Sequence, residues 1–96
     1  LTQTGTNAPI ATVLENTLGG TVTFERVGIG NYNAVSVGNL FTFDKTVVFY
    51  NSGQFVGTYN FHQVNTSRIA LYNVNVSGVA ADSLIQKLSI EIRVYL

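Results

Sequence analysis

The chain has 96 residues, five basic and five acidic side chains, a net charge of zero, and no cysteine, methionine or tryptophan. That length makes one domain, and the balanced charge lacks the basic footprint of a nucleic-acid binder. Only 10% of residues are charged while 46% are hydrophobic, the reverse of what disorder needs.

Zero cysteine excludes disulfides, thiolate catalysis and thiolate metal sites together. No stretch approaches the roughly 18 apolar residues of a membrane span, so no membrane insertion is expected, and no signal peptide is visible. Without an initiating methionine, Leu1 is expected to be a cut within a longer protein or a product of processing.

The polar content is carried by Thr, Asn, Ser and Gln. Thr suits a pleated surface, and Asn and Gly suit turns. The expected fold is all-β: a single small antiparallel sandwich or jelly-roll-like domain of about seven strands. At most one short helical turn is expected, near residues 80–86. Residues 1–9 read as an extended arm or linker, and residues 10–96 as the single β domain.

In chain order, residues 10–14 are a first strand candidate. Residues 21–27 alternate with period two, placing Val22 and Phe24 on one face. Arg26 shares that face and is expected to mark the strand end where it meets water. Gly28-Ile29-Gly30-Asn31 begins like a dinucleotide fingerprint, but the third glycine and the helix are missing. It reads as a hairpin connection to a strand over residues 32–37. Residues 46–50 are almost continuously apolar, as in a strand buried on both faces. Residues 54–62 alternate, with Phe55, Gly57, Tyr59 and Phe61 on one side. Residues 68–76 form a long strand with an expected bulge at Tyr72-Asn73, where the apolar phase slips. Residues 88–95 close the chain, with Ile90, Ile92 and Val94 opposite Glu91, Arg93 and Tyr95. Seven strands at this spacing suggest a sandwich or barrel.

Four of the five tyrosines precede an asparagine: Tyr32-Asn33, Tyr50-Asn51, Tyr59-Asn60 and Tyr72-Asn73. Composition alone explains such pairs in a β protein rich in Asn. The functional reading is a Tyr/Asn surface for a sugar or a partner, since Tyr offers rigid contact area and Asn adaptable hydrogen bonds. The candidate surface is Tyr32, Asn33, Tyr59, Asn60, His62, Tyr72 and Asn73. His62 is the only histidine, and no nucleophile or orienting acid is placed with it by spacing. No catalytic residue, metal site or cofactor is expected. Glu91 and Arg93 lie two apart on one face, an arrangement expected to give a solvated ion pair. Asn65-Thr66-Ser67 and Asn75-Val76-Ser77 match the N-glycosylation acceptor pattern, which is cheap in such a composition.

Some segments are familiar as a set: Gln3-Thr4-Gly5-Thr6-Asn7-Ala8-Pro9, Thr12-Val13-Leu14-Glu15-Asn16-Thr17-Leu18-Gly19-Gly20-Thr21, Asp44-Lys45-Thr46 and Ile90-Glu91-Ile92-Arg93-Val94-Tyr95. Together they resemble a small domain of structural, tail- or fibre-like proteins of phages and prophages of Bacteroidetes-type bacteria. The resemblance is strongest at the two ends. Phe24 stands where that pattern often has Trp after the Gly-Gly-Thr strand start. The resemblance implies a virion-surface or extracellular setting, a homo-oligomer with three copies favoured, and contact with a host receptor or cell-surface glycan. It supplies no catalytic residues. The expected function is a non-enzymatic structural and interaction domain, with a carbohydrate-binding module of a secreted bacterial protein as the alternative.

Overall fold

The period-two segments become six strands in a computed structural model that describes residues 1–13, 16–51 and 57–95. They are β1 (Val22–Gly28), β2 (Asn31–Ser36), β3 (Thr46–Asn51), β4 (Thr58–Asn65), β5 (Arg68–Val74) and β6 (Ser89–Val94). All pairings are antiparallel. One sheet has the order β1-β2-β5-β4; the other, among the described residues, holds β3 and β6. The chain is all-β, a small sandwich of four strands against two. Its Cα radius of gyration is 12.8 Å, close to the roughly 12.5 Å expected for one compact unit of this length.

Alternation decides which side chains face inward. Phe24, Ala34, Ile69 and Gln63 form one cross-strand row; Arg26, Tyr32, Leu71 and Phe61 form the next. Ile90, Ile92 and Val94 of the second sheet descend onto these rows. Tyr50 of β3 meets Tyr59 edge-on at 6.0 Å and Phe61 at 5.3 Å. Hence β3 lies over β4 and β6 over β5 and β2. No strand among the described residues covers β1 in the second layer.

Irregular chain completes the core. Phe41, Ile85 and Leu88 are fully buried although none lies in a strand. Residues 80–86 contain no helical turn; they are bends and extended chain that press Ile85 inward. The helical turn expected there is absent because Ser83 and Lys87 adopt left-handed backbone angles, which interrupt any helical run.

The strand candidate at residues 10–14 is likewise not a strand. Ile10 makes an isolated bridge to Thr2 and residues 11–13 are unpaired; Leu14 lies outside the described residues, as does Phe55. The arm itself folds back onto the domain. Leu1 and Leu88 exchange reciprocal backbone hydrogen bonds of 2.6 and 2.9 Å, and the Gln3 side chain is wholly buried.

The bulge expected at Tyr72-Asn73 does not occur. The register of β5 runs unbroken through both residues; the irregularities fall at Arg26/Gly28 and Gln63/Asn65 instead. The apolar phase never slips there. A polar residue, Asn73, simply occupies an inward position. The β1–β2 hairpin forms as expected around Ile29-Gly30. Gly30 is required there: its φ is 63°, and a Cβ would approach the Asn73 carbonyl oxygen to 2.6 Å.

Candidate functional site

A Tyr-Asn dipeptide in a strand cannot present both side chains to one ligand, because neighbours point to opposite faces. The structure divides the candidate surface accordingly. Tyr32, Tyr59 and Asn73 turn inward and are buried. Asn33, Asn60, His62 and Tyr72 lie on the outer face of the four-stranded sheet. Register brings those four together. Tyr72 of β5 is flanked by Asn31 of β2 and Asn60 of β4. One row along, Ala70 stands between Asn33 and His62. Ala70 is only 2% exposed although it is on this outer face, so the longer neighbouring side chains close over it. Asn33 Nδ2 donates to Glu25 Oε1 at 3.0 Å. Asn31 was missed in the sequence; it precedes Tyr32 rather than following a tyrosine, and only the register reveals it.

The inward-turned Tyr32 belongs to a polar cluster that the sequence did not signal. Asp82 accepts from Arg26 Nε at 3.2 Å and Nη2 at 2.7 Å, and from the Gly30 backbone N–H at 3.1 Å. The Tyr32 hydroxyl lies 2.6 Å from Asp82 Oδ1 and 2.8 Å from Gln3 Oε1. Its single proton goes to the charged acceptor, which forms the stronger bond. Gln3 is oriented by donating from Nε2 to the Gly5 and Asn7 carbonyls and accepting from the Ser83 N–H. Arg26 therefore does not mark a solvated strand end. Strand alternation carries its side chain inward beside Tyr32, where both ion-pair partners are about four-fifths covered.

The electrostatics follow from these contacts. The Arg26 guanidinium, by hydrogen bonding, holds the Asp82 carboxyl well below the usual carboxylate range, and the Tyr32 hydroxyl and Gly30 amide add to this against a desolvation cost. Burial, then the bond to Asp82, pushes the Tyr32 phenol well above its ordinary value. Arg26 is raised in turn by Asp82. Every group in the cluster is used by another, so it reads as a clasp joining the arm, the first hairpin and residues 81–88. It offers no free nucleophile beside a base. Among the described residues no three His, Cys, Asp or Glu side chains are grouped to hold a metal ion.

Both acceptor-like triads are turns in which the asparagine serves its own backbone. Asn65 Oδ1 accepts from Ser67 N and Oγ, and Asn75 Oδ1 accepts from Ser77 and Val79 N–H groups. Asn73 differs. It is 0% exposed and, among the described residues, neither side-chain atom has a hydrogen-bond partner.

Two further surfaces stand out. The strand β3 was expected to be buried on both faces, but its outer face leaves Val47 and Phe49 40% and 47% exposed. Arg93 lies over the Phe49 ring at 5.2 Å and pairs with Glu91. Tyr95, just beyond β6, is also half exposed. On the other side of β6, above β1, an open-sided slot of about 770 Å³ is bounded by Ile90 and Ile92 of β6, by Val22 and Phe24 of β1, and by Val13 and Leu18.

No family model, curated protein or solved structure matches this chain.

Proposed function

We propose that the chain is a non-enzymatic structural and interaction domain that works as a homo-oligomer. The observation that supports this is the exposure of Val47 and Phe49 on the outer face of β3, beside the Glu91–Arg93 pair of β6 in a two-stranded sheet. Two strands alone are marginal in water, and apolar residues on the second face of a sandwich sheet call for a covering surface. A second copy is the economical cover. The net charge of zero favours association rather than opposing it. The setting, a phage fibre, spike or decoration protein at a virion surface, rests on the resemblance at the two ends of the chain, as does the preference for three copies. Light scattering on the purified chain tests the reading: a stable oligomer is expected, and a monomer at all concentrations would contradict it.

The alternative, a carbohydrate-binding module, is favoured by the outer-face row of Asn31, Tyr72 and Asn60. An aromatic side chain between two amides suits a neutral pyranose, the ring giving apolar contact and the amides hydrogen bonds. A glycan array tests it. Binding that is lost in Tyr72→Ala, with melting temperature unchanged, supports it; an array blank for the native chain refutes it.

A further inference from the structure

The outer-face row that suits one sugar ring has a second row beside it. We infer that this face reads two consecutive units of a neutral hexose glycan laid along β5, with Glu25 positioning the group that recognises the second unit. This rests on the carbohydrate-binding reading.

Register builds both rows from the same three strands. Asn31, Tyr72 and Asn60 form the first; Asn33, Ala70 and His62 form the second. They lie two residues apart along β5, about 6.8 Å, a step that one pyranose and its glycosidic oxygen bridge. The irregularities at Arg26/Gly28 and Gln63/Asn65 fall outside both rows, so the side chains of the two rows share one face.

The rows offer different surfaces. Tyr72 is 44% exposed and gives the first ring an apolar platform. Ala70 is too short to do so. Asn33 and His62 stand on either side of it, about 10 Å apart at two strand spacings. A second ring therefore rests on an amide and an imidazole, the latter with a flat apolar body and polar nitrogens.

Hydrogen-bond chemistry separates the rows further. Asn31 and Asn60 have no charged residue opposite them in register, and either end of their amides can turn to a ligand. Asn33 is held. Glu25 stands opposite it on β1, and a carboxylate offers only acceptors, so Asn33 Nδ2 faces Glu25 Oε1 at 3.0 Å. Oδ1, on the other branch of the amide, is turned towards β5. The second row thus presents a fixed acceptor, which selects a hydroxyl.

Charge sets the glycan class. A sugar carboxylate or sulfate in the second row would face two acceptors, the Asn33 carbonyl and Glu25. Arg68, a row further on, directs Nε to Glu25 at 3.6 Å, so its charge is already answered. A neutral glycan fits this face and an acidic one does not.

A glycan array on the native chain supplies the probes. They are the shortest bound glycan of two or more units and the monosaccharide at its non-reducing end, each titrated by NMR. Neutral hexose glycans are expected among the hits, with shifts at Tyr72 and at the Asn33 side-chain amide. The longer probe is expected to bind about three- to tenfold more tightly than the monosaccharide, from one added hydrogen bond. Glu25→Ala releases the Asn33 amide and is expected to remove that gain, with the monosaccharide affinity and the melting temperature unchanged. A Glu25 that only supported the sheet would weaken both probes alike. A blank array refutes the carbohydrate-binding reading and the inference with it. Equal affinity for the two probes, acidic glycans bound as tightly as neutral ones, or a gain that survives Glu25→Ala each overturns the inference and leaves that reading standing.

Discussion

Gln3 shows how much one residue holds at the smallest scale. Its amide touches the Gly5 and Asn7 carbonyls, the Ser83 N–H and the Tyr32 hydroxyl. Gln3→Ala strands several of these groups and is expected to cost about 1–3 kcal/mol, read from urea unfolding. Asp82 gives the cluster a pH signature. Its folded-state pKa is depressed, so its stabilisation is complete above the unfolded value near 4 and is lost as pH falls below it. Urea midpoints measured down an acid series are expected to show this limb, and Asp82→Asn is expected to flatten it while lowering the melting temperature at neutral pH. Asn73 has the opposite sign. Its buried amide has no partner, so Asn73→Leu, close in shape, is expected to raise stability by about 1 kcal/mol in the same assay; a clear loss would show that the amide is satisfied by a bound water. None of this was legible in sequence. Gln3, Asp82 and Tyr32 lie far apart along the chain, and spacing carries no sign of contacts closed by tertiary structure. The Tyr-Asn pairs were legible as a pattern but not as a surface, because strand alternation sends one member of each pair inward.

At the scale of elements, period two located the hairpin β1–β2 and the inward rows of β4 and β6 directly from Val22, Phe24, Tyr59, Phe61, Ile90 and Ile92. It failed where the core is built from irregular chain. Ile85 is fully buried but sits in a stretch whose left-handed residues and bends give no periodic signal, whereas the buried Leu88 just before β6 keeps the inward phase of Ile90 and Ile92. Leu88→Ala is expected to cost about 2–5 kcal/mol, as for a strand core residue, and chemical denaturation distinguishes this from the small effect of an exposed loop position. It failed also at β5, where an apolar rule read the inward Asn73 as a change of phase. For β3 the continuous apolar run was legible, but a run alone cannot say whether both faces are covered within one chain.

At the scale of the whole molecule, four strands face two, and the mismatch leaves both the slot above β1 and the unshielded outer face of β3–β6. The all-β class followed from Thr, Asn and Gly standing in for charge and helix formers; the four-to-two division did not, because strand order depends on pairings between distant segments. The absence of net charge first served to set aside nucleic acid. Joined to the exposed Val47 and Phe49, it becomes an argument for association. Light scattering at rising concentration tests this most directly, on the native chain and on Val47→Lys/Phe49→Lys with circular dichroism to confirm that the variant folds. The native chain is expected to give a multiple of its 10.4 kDa mass, three on the resemblance, and the folded variant a single copy. A native mass of 10.4 kDa throughout, or a folded variant that associates as the native chain does, would contradict the account.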